Sequence, residues 1–246
     1  MQRLRSVFQK FRQQWLFKKH QKQIRRFYSH LIKPGDLVFD VGANIGSRSQ
    51  IFLELGARVV AVEPQKECAR TLFMRFGANP SFHLVNKALG ATEGQAEMFI
   101  SSSHEISSLS STWVKKAQTE NILLPNHKWE QTKLVQVTTL DKLIVEFGIP
   151  AYIKIDAEAY EFEIFRGLNQ PIRLVSFEFH PVFLEPAVQS IENLERFGNL
   201  QMNYQIREDF SWALNKWVSA QEMIIELRRT RSIRQLYYGD IYVRIS

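Results

Sequence analysis

An apolar run that leads into a glycine-containing turn constrains the fold of this chain most. Residues 37–47 read LVFDVGANIGS, and a second apolar run, RVVAVE, ends at Glu63. Short apolar runs rich in β-branched residues are typical of buried parallel strands, and Gly56 lies where the intervening helix should end. The pattern predicts a strand, a turn, a helix and a second strand, which together form the first unit of an α/β sheet.

The turn after the first strand has the properties of a ligand-binding site. At the carboxyl edge of a parallel sheet, glycines let the backbone approach a ligand, and the next helix offers unpaired N–H groups. Glu63 ends the neighbouring strand, where its carboxylate can accept hydrogen bonds from both hydroxyls of a ribose. The turn has neither the close glycine pair of dinucleotide-binding folds nor the Gly-Lys-Ser/Thr of phosphate loops. This favours a ligand with adenine and ribose but no phosphate, commonly S-adenosylmethionine; a strand-turn-helix without a ligand is the alternative.

Basic residues are concentrated at the start of the chain. Residues 1–35 hold ten of the 32 Lys and Arg residues and no Asp or Glu, so the remainder, with 22 basic and 25 acidic residues, has a net charge of −3. Nucleic-acid binding by this remainder is not expected, because it lacks an excess of positive charge. The single cysteine, Cys68, cannot form an internal disulfide.

Residues 1–33 predict a basic amphipathic helix. There is no Gly or Pro between Arg3 and Lys33, and apolar residues recur at helical spacing: Leu4, Phe8, Phe11 and Trp15, then Ile24, Phe27, Tyr28 and Leu31. No apolar run is long enough for a signal peptide or a membrane span. Three roles stay open: packing on the domain or on a second copy in a homodimer, peripheral contact with an anionic membrane, and binding of RNA. We expect a cytoplasmic protein, with any membrane contact at the inner membrane.

Residues 34–246 predict one doubly wound α/β domain. Strands are predicted at 37–41, 57–62, 82–87, 95–100, 134–138, 151–156, 174–181, 204–207 and 241–245, with helices at 66–74, 139–148, before Gly167, and around 191–197 and 223–231. This alternation implies a largely parallel sheet. Residues 101–132 have no strong period and predict a long loop, which either covers an acceptor or is plain surface.

Polar residues follow the predicted strands at their carboxyl ends, where sheets of this kind bind ligands. They are Asp40, Glu63, Asn86, Asp156, Glu158, Glu178 and His180. Asp156 and Glu158 flank one residue of a turn, so both can reach the crevice, and His180 can take a proton near neutral pH. Capping of the next helix is the alternative role of Glu158, and a hydrogen-bonded strand end is that of His180.

A metal ion is not expected at this edge. Asp156, Glu178 and His180 are residue types that ligate cations. Two carboxylates and one His without a fixed local spacing are weak support for a cation site, so we assign no metal ligand.

Four motifs in order resemble the signatures of the FkbM family of S-adenosylmethionine-dependent methyltransferases. They are FDVGANIG at 39–46, VEP at 62–64, TLD at 139–141 and IKIDAEAYE at 153–161. The resemblance implies a class I methyltransferase fold, a mostly parallel seven-stranded sheet, and O-methylation of hydroxyls on sugars, polyketides or other metabolites. It places the cofactor on the turn from Gly42 to Gly46 and on Glu63, with Asp156 and Glu158 at the reacting end. The family commonly has Gly where this chain has Ala159, and a positive φ there would strain alanine.

These patterns together predict an O-methyltransferase that uses S-adenosylmethionine. The residues assigned to the cofactor are Asp40, Gly42, Ala43, Asn44, Gly46, Glu63, Asn86, Ala88 and Asp156. Methyl transfer is an in-line displacement, in which the protein aligns the acceptor oxygen and helps to remove its proton. Asp156, or His180 as the alternative, is assigned as the base, Glu158 faces the acceptor, and Lys154 stabilises the developing oxyanion or forms a structural ion pair.

The acceptor is expected to be a hydroxyl of a carbohydrate, glycolipid or other metabolite. Methylation of RNA and a non-catalytic, membrane-associated cofactor-binding adaptor are the alternatives. RNA methylation is disfavoured by the negative charge of residues 36–246.

Overall fold

A seven-stranded sheet forms the centre of the computed structural model, which describes residues 20–120, 128–207, 209–232 and 238–246. Its strands are β1 (Leu37–Val41), β2 (Arg58–Val62), β3 (Phe82–Val85), β7 (Tyr152–Ile155), β8 (Leu174–Phe179), β9 (Leu200–Ile206) and β10 (Gly239–Ile245). They lie in the order β3-β2-β1-β7-β8-β10-β9. All neighbours are parallel except β10, which is antiparallel to both β8 and β9. The predicted fold class, a mostly parallel doubly wound sheet, is confirmed.

Helices cover both faces of this sheet, because side chains of each buried strand alternate between two apolar clusters. In β1, Leu37, Phe39 and Val41 belong to one cluster and Val38 to the other. The helices are α1 (20–28), α2 (Ser47–Glu54), α3 (Lys66–Phe76), α4 (Ser111–Thr119), α5 (Leu140–Phe147), α6 (Glu161–Arg166), α7 (Glu185–Leu194) and α8 (Ala220–Thr230). The carboxyl ends of β1, β2, β7 and β8 therefore form an edge between two helical layers.

Helix α1 is part of the core of the domain. Ile24, Tyr28 and Ile32 are at most 3% exposed and pack in the same cluster as Phe52 and Tyr152. The Tyr28 ring meets that of Phe52 edge-on, with the centroids 5.0 Å apart. The latter half of the predicted N-terminal helix thus covers the sheet. Residues 1–19, which carry the first half of that prediction, lie outside the described residues, and the boundary at residue 33 stays a prediction.

A second, three-stranded sheet lies over the carboxyl edge of the first. It has the order β4-β6-β5 and consists of β4 (Ala88–Leu89), β5 (Gly94–Ser101) and β6 (Trp129–Thr138). Helix α4 packs with it through Trp113, Val114 and Ala117. The prediction of a long loop over 101–132 was wrong in its middle and at its end, because α4 occupies 111–119 and β6 begins at Trp129 rather than at 134. Residues 121–127 lie outside the described part of the chain.

Candidate active site

A cavity of about 460 Å³ opens between the carboxyl edge of the large sheet and the small sheet. Its walls come from the ends of β1, β2, β7 and β8, and from residues 104–109, which precede α4. The volume is in the usual range for a pocket that holds a small-molecule ligand. The Ser-rich segment before α4 therefore lines the cavity, and its predicted role in covering an acceptor stays a prediction.

Gly42 is the point at which the turn after β1 comes closest to the rest of the edge. Its φ is +72°, and a Cβ added to it would lie 1.8 Å from the backbone oxygen of Asp156. The N–H groups of Gly42 and Ala43 both donate to the carbonyl of Val62, at 2.9 and 3.1 Å. Glycine is required here for both its conformation and its size, and the turn is held between β2 and β7.

Glu63 joins the two loops that line one half of the cavity. Its Oε2 accepts a hydrogen bond from the backbone N–H of Asn44, and its Oε1 accepts one from that of Gln65, each at 2.8 Å. Burial raises the pKa of Glu63 to about 7, although the hydrogen bonds from Gln65 and Asn44 oppose this. Each carboxylate oxygen keeps a lone pair for a further donor, so Glu63 fits the ribose-binding role predicted for it.

Asp40 lies at the base of the cavity and is 1% exposed. Its Oδ2 accepts a hydrogen bond of 2.5 Å from the hydroxyl of Ser49 in α2, and burial raises its pKa. Its other oxygen, Oδ1, accepts no hydrogen bond from the described residues. An acceptor atom of this kind is available to a donor group of a ligand. The sequence analysis did not identify Ser49.

Gly46 and Asn86 do not line this cavity, whereas Ala88 does. Gly46 precedes α2 with a φ of +87°, and an added Cβ would lie 2.5 Å from the ring of Phe76 in α3. The Asn86 amide donates to the carbonyl of Glu63 at 2.7 Å. Both residues therefore support the walls of the cavity from outside, and their assignment to the cofactor stays a prediction.

Asp156 and Lys154 form an ion pair at the end of β7. The Lys154 ammonium donates to Asp156 Oδ2 at 2.8 Å, and the Lys154 side chain is 5% exposed against 40% for Asp156. Burial lowers the pKa of Lys154, but the carboxylates of Asp156, Asp240 and Asp40 outweigh it and raise that pKa above its usual value. Lys154 is thus a fixed positive charge, and Asp156 presents its carboxylate to the cavity.

Glu158 is directed inward by a turn with left-handed backbone. Glu158 and Ala159 have φ of +52° and +65°, a conformation that costs alanine about 1–2 kcal/mol. The strain expected at Ala159 is therefore present in the fold. The hydroxyl of Ser108 donates to the Glu158 carbonyl at 2.7 Å, so the segment over the cavity fixes this turn.

Glu158 meets Glu178 and His180 in a buried cluster, which we call the Glu-Glu-His cluster. The distances from His180 Nε2 are 3.3 Å to Glu178 Oε2 and 3.5 Å to Glu158 Oε2. The imidazole stacks on the indole of Trp113, with centroids 4.2 Å apart and planes at 19°. All three members of the cluster line the cavity beside Asp156.

Proton affinities in the Glu-Glu-His cluster are strongly shifted. Burial lowers the pKa of His180, but Glu178 and Glu158 outweigh it and raise that pKa well above the usual value. Burial also raises the pKa of both carboxyl groups, in Glu178 with a further contribution from Glu158. The cluster therefore retains protons to higher pH than separate Glu and His side chains would. Such shifts in a cavity are typical of functional sites.

The sequence of residues 40–211 matches the family model of the methyltransferase FkbM domain. The matched span is more than half of the 246 residues. The chain belongs to the FkbM methyltransferase family. The protein is thus an S-adenosylmethionine-dependent methyltransferase, and its seven-stranded sheet has the class I methyltransferase fold. A search of curated protein sequences gave no match.

Among solved structures, this chain is weakly similar to several methyltransferases. A TehB-like S-adenosylmethionine-dependent methyltransferase from Corynebacterium glutamicum is 10% identical, with 98% of this chain and 99% of that one covered and a TM-score of 0.45. Fibrillarin from Aeropyrum pernix, a structure with bound S-adenosylmethionine, is 10% identical, with 87% and 68% covered and a TM-score of 0.43. The strand order described above, rather than this likeness, carries the fold assignment.

The sequence did not indicate several contacts of the protein. Trp113 is fully buried, with its indole stacked on the His180 ring. Trp129, Trp212 and Trp217 do not line the cavity. Ser110 caps α4 by accepting from the Trp113 N–H, and a Ser before an apolar residue is a signal that could have located this helix. No helix in the described ranges has the length and apolar character to cross a membrane.

Proposed function

We propose that this FkbM methyltransferase methylates a hydroxyl group of a neutral, carbohydrate-like acceptor. The observation that carries the proposal is the acid-rich end of the cavity, where Asp156 lies beside the Glu-Glu-His cluster. Carboxylates accept hydrogen bonds from hydroxyl groups and repel anionic groups. A polyol fits such an end better than a phosphorylated acceptor does.

The donor half of the cavity fits S-adenosylmethionine through groups that the structure leaves available. Glu63 keeps lone pairs for the ribose hydroxyls, and Asp40 Oδ1 accepts no hydrogen bond from the described residues. When bound, S-adenosylmethionine supplies an electrophilic methyl group on its sulfonium. The contact of Gly42 with the Asp156 backbone brings the donor turn and the acceptor edge together.

Asp156 is proposed as the base that accepts the proton of the acceptor hydroxyl. Its side chain is 40% exposed, whereas that of His180 is 5% exposed. Its second oxygen, Oδ1, is not used by Lys154, which bonds Oδ2. His180 is the less suitable base because its pKa is raised well above the usual value by Glu178 and Glu158. Lys154 orients the Asp156 carboxylate through this ion pair.

The charge of the cavity separates this proposal from methylation of RNA. Phosphodiester groups would approach Asp156, Glu158 and Glu178, while the neighbouring Lys154 is already paired with Asp156. Like charges at short range are repulsive, most of all where the surroundings are buried. The net charge of −3 outside residues 1–35 also gives no electrostatic attraction to nucleic acid.

A methyl-transfer assay with matched acceptors tests the proposal. The purified full chain is incubated with methyl-labelled S-adenosylmethionine and a neutral saccharide, its phosphorylated form, its amino-sugar analogue or an RNA, and label in each acceptor is counted. A glycan extract serves as a second, unbiased source of neutral acceptors. We expect label in neutral saccharide or glycan as an ether that survives alkali.

Protein variants tested in this assay identify the base. Asp156→Asn should retain cofactor affinity and lose label transfer by about 100-fold or more, the scale of general-base catalysis. Glu105→Gln, which changes an exposed carboxylate at the same cavity, is the matched control and should retain transfer. Label that appears only in RNA or only on an amine would refute the acceptor class. Full transfer by Asp156→Asn would refute the base.

A further inference from the structure

The Glu-Glu-His cluster has the spacing of a metal-ligand set. One ligand atom from each of its residues lies within 4.8 Å of the others. Atoms bound at about 2.0–2.2 Å around a tetrahedral metal lie roughly 3.3–3.6 Å from one another. The two measured separations, 3.3 Å and 3.5 Å, agree with that arrangement.

One hydrogen bond from His180 does not account for its contacts with both carboxylates. Both carboxylates approach the same ring atom, Nε2 of His180, at 3.3 and 3.5 Å. An imidazole nitrogen has one N–H at most, and ordinary N–H···O bonds are about 2.7–3.2 Å long. Oε2 of Glu158 and Oε2 of Glu178 are buried and accept no hydrogen bond from the described residues. A single Nε2–H can serve at most one of these two buried carboxylate oxygens well, so at least one of them lacks a donor of its own among the described residues.

The ammonium of Lys154 does not fill the point between these ligand atoms. It is buried at the end of the neighbouring strand β7, where it donates to Asp156 at 2.8 Å instead. Leaving a buried acceptor unsatisfied costs about 1–3 kcal/mol, and more for a charged group. A cation between the three ligand atoms would remove this cost for both carboxylates.

The surroundings hold the ligand atoms in place. Glu178 and His180 are two residues apart at the end of β8, so they point to the same side of the strand. The Trp113 indole stacks on the His180 ring and limits its rotation. Ser108 fixes the turn of Glu158 through its carbonyl. Fixed first-layer ligands with outer partners are typical of metal sites.

We propose that Glu158, Glu178 and His180 bind one divalent transition-metal ion at the acceptor end of the cavity. Two carboxylates and an imidazole suit Mn²⁺, Fe²⁺, Co²⁺ or Zn²⁺. The site opens to the cavity beside Asp156, which leaves further coordination positions for water or acceptor oxygens. This ligand set differs from the one considered in the sequence, since Glu158 takes the place of Asp156. The metal site does not depend on the proposed acceptor class, although a bound ion would offset the charges of Glu158 and Glu178 in the cavity.

Cobalt binding to the full chain tests the proposal without any methyl transfer. Protein treated with a chelator is titrated with Co²⁺ and followed by visible absorption, and Mn²⁺ binding is measured by calorimetry. We expect one equivalent of each to bind, and cobalt bands of a four- or five-coordinate site. Glu178→Gln and His180→Gln should weaken Mn²⁺ binding by more than the roughly 10–100-fold that loss of an outer-layer partner costs.

Asp156→Asn is the matched control in this experiment. It changes a carboxylate at the same edge that is not in the ligand set, so it should bind Mn²⁺ like the unchanged protein. Loss of Mn²⁺ binding in Asp156→Asn, or unchanged binding in Glu178→Gln, would overturn the assignment. If a variant of a metal ligand fails to fold, the unchanged protein alone tests the site. The absence of cobalt bands and of heat on Mn²⁺ addition would then refute it. Metal binding without label transfer would retain this site and refute the proposed function.

Discussion

Protonation of Glu63 is expected to control cofactor affinity. Glu63 is 2% exposed, and burial raises its pKa to about 7 against hydrogen bonds from Gln65 and Asn44. Ribose hydroxyls donate to a carboxylate, so a bound cofactor favours the ionised form. Below pH 7 the protein must first lose a proton from Glu63, and the affinity for cofactor falls with the pH.

The size of the effect follows from this pKa. Each pH unit below about 7 lowers the affinity up to tenfold, or about 1.4 kcal/mol. Between pH 8.5 and pH 5.5 the dissociation constant should therefore rise by roughly 30-fold, provided that the pKa in the complex is lower than 5.5.

The free energy of unfolding should also depend on the protonation of Glu63. It should fall as the pH rises, whereas the cofactor affinity rises with the pH. The folded pKa of Glu63 is raised from 4.5 to about 7, so its contribution to stability is fully present below pH 4.5 and is lost as the pH rises through 7. The loss amounts to about 3 kcal/mol of the free energy of unfolding. In Glu63→Gln this loss is absent, although one of the two backbone N–H groups loses its acceptor.

Calorimetric titration with S-adenosylhomocysteine between pH 5.5 and 8.5 measures the effect. The unchanged protein should show the fall in affinity, and Glu63→Gln should bind weakly with no pH dependence in this range. Glu161→Gln is the matched control, because burial raises the pKa of Glu161 to about 7 while its Oε1 accepts from the Ala157 N–H. Equal affinity at pH 5.5 and 8.5, or a slope that disappears in Glu161→Gln instead, would refute the reasoning.

Three further predictions concern the frame of the site. Gly42→Ala should abolish cofactor binding, because its Cβ would lie 1.8 Å from the backbone oxygen of Asp156. Gly35→Ala, which has positive φ but no neighbour within 4 Å, should only lower the free energy of unfolding, by about 1 kcal/mol. Equal cofactor affinities of the two variants by calorimetry would contradict this. Tyr28→Ala should lower the free energy of unfolding by about 3–5 kcal/mol and Tyr28→Phe by less than about 1 kcal/mol, as denaturant titration would show. Ser49→Ala should cost about 1–3 kcal/mol by the same method, because Asp40 then loses its buried hydrogen bond.

Much of the fold could be predicted because the strands of the large sheet are nearly continuous apolar runs. Residues 37–41 and 174–179 are buried on both faces, and such runs are distinct in a sequence. Helix α4 was missed because it is short and its buried residues, Trp113, Val114 and Ala117, do not complete two turns of apolar periodicity.

The sequence predicted the residues of the site more fully than the contacts between them. The position of a residue after a strand indicates which edge it reaches, and this located Glu63, Asp156 and His180. The contact of Glu158 with His180 depends on a turn with left-handed backbone at Glu158 and Ala159. Alanine and glutamate rarely adopt this conformation, and no local sequence pattern indicates it. Gly46 was assigned to the ligand with the rest of its motif, but its lack of a side chain makes room for Phe76.

The structure of the full chain with S-adenosylhomocysteine bound would test most directly whether the donor turn and the acceptor edge form one active site. Our account predicts the ribose hydroxyls on Glu63, the adenine beside Ala88, and the sulfur directed toward Asp156 and the Glu-Glu-His cluster. A ligand with its adenine at the Glu-Glu-His cluster, or one bound outside this cavity, would contradict it.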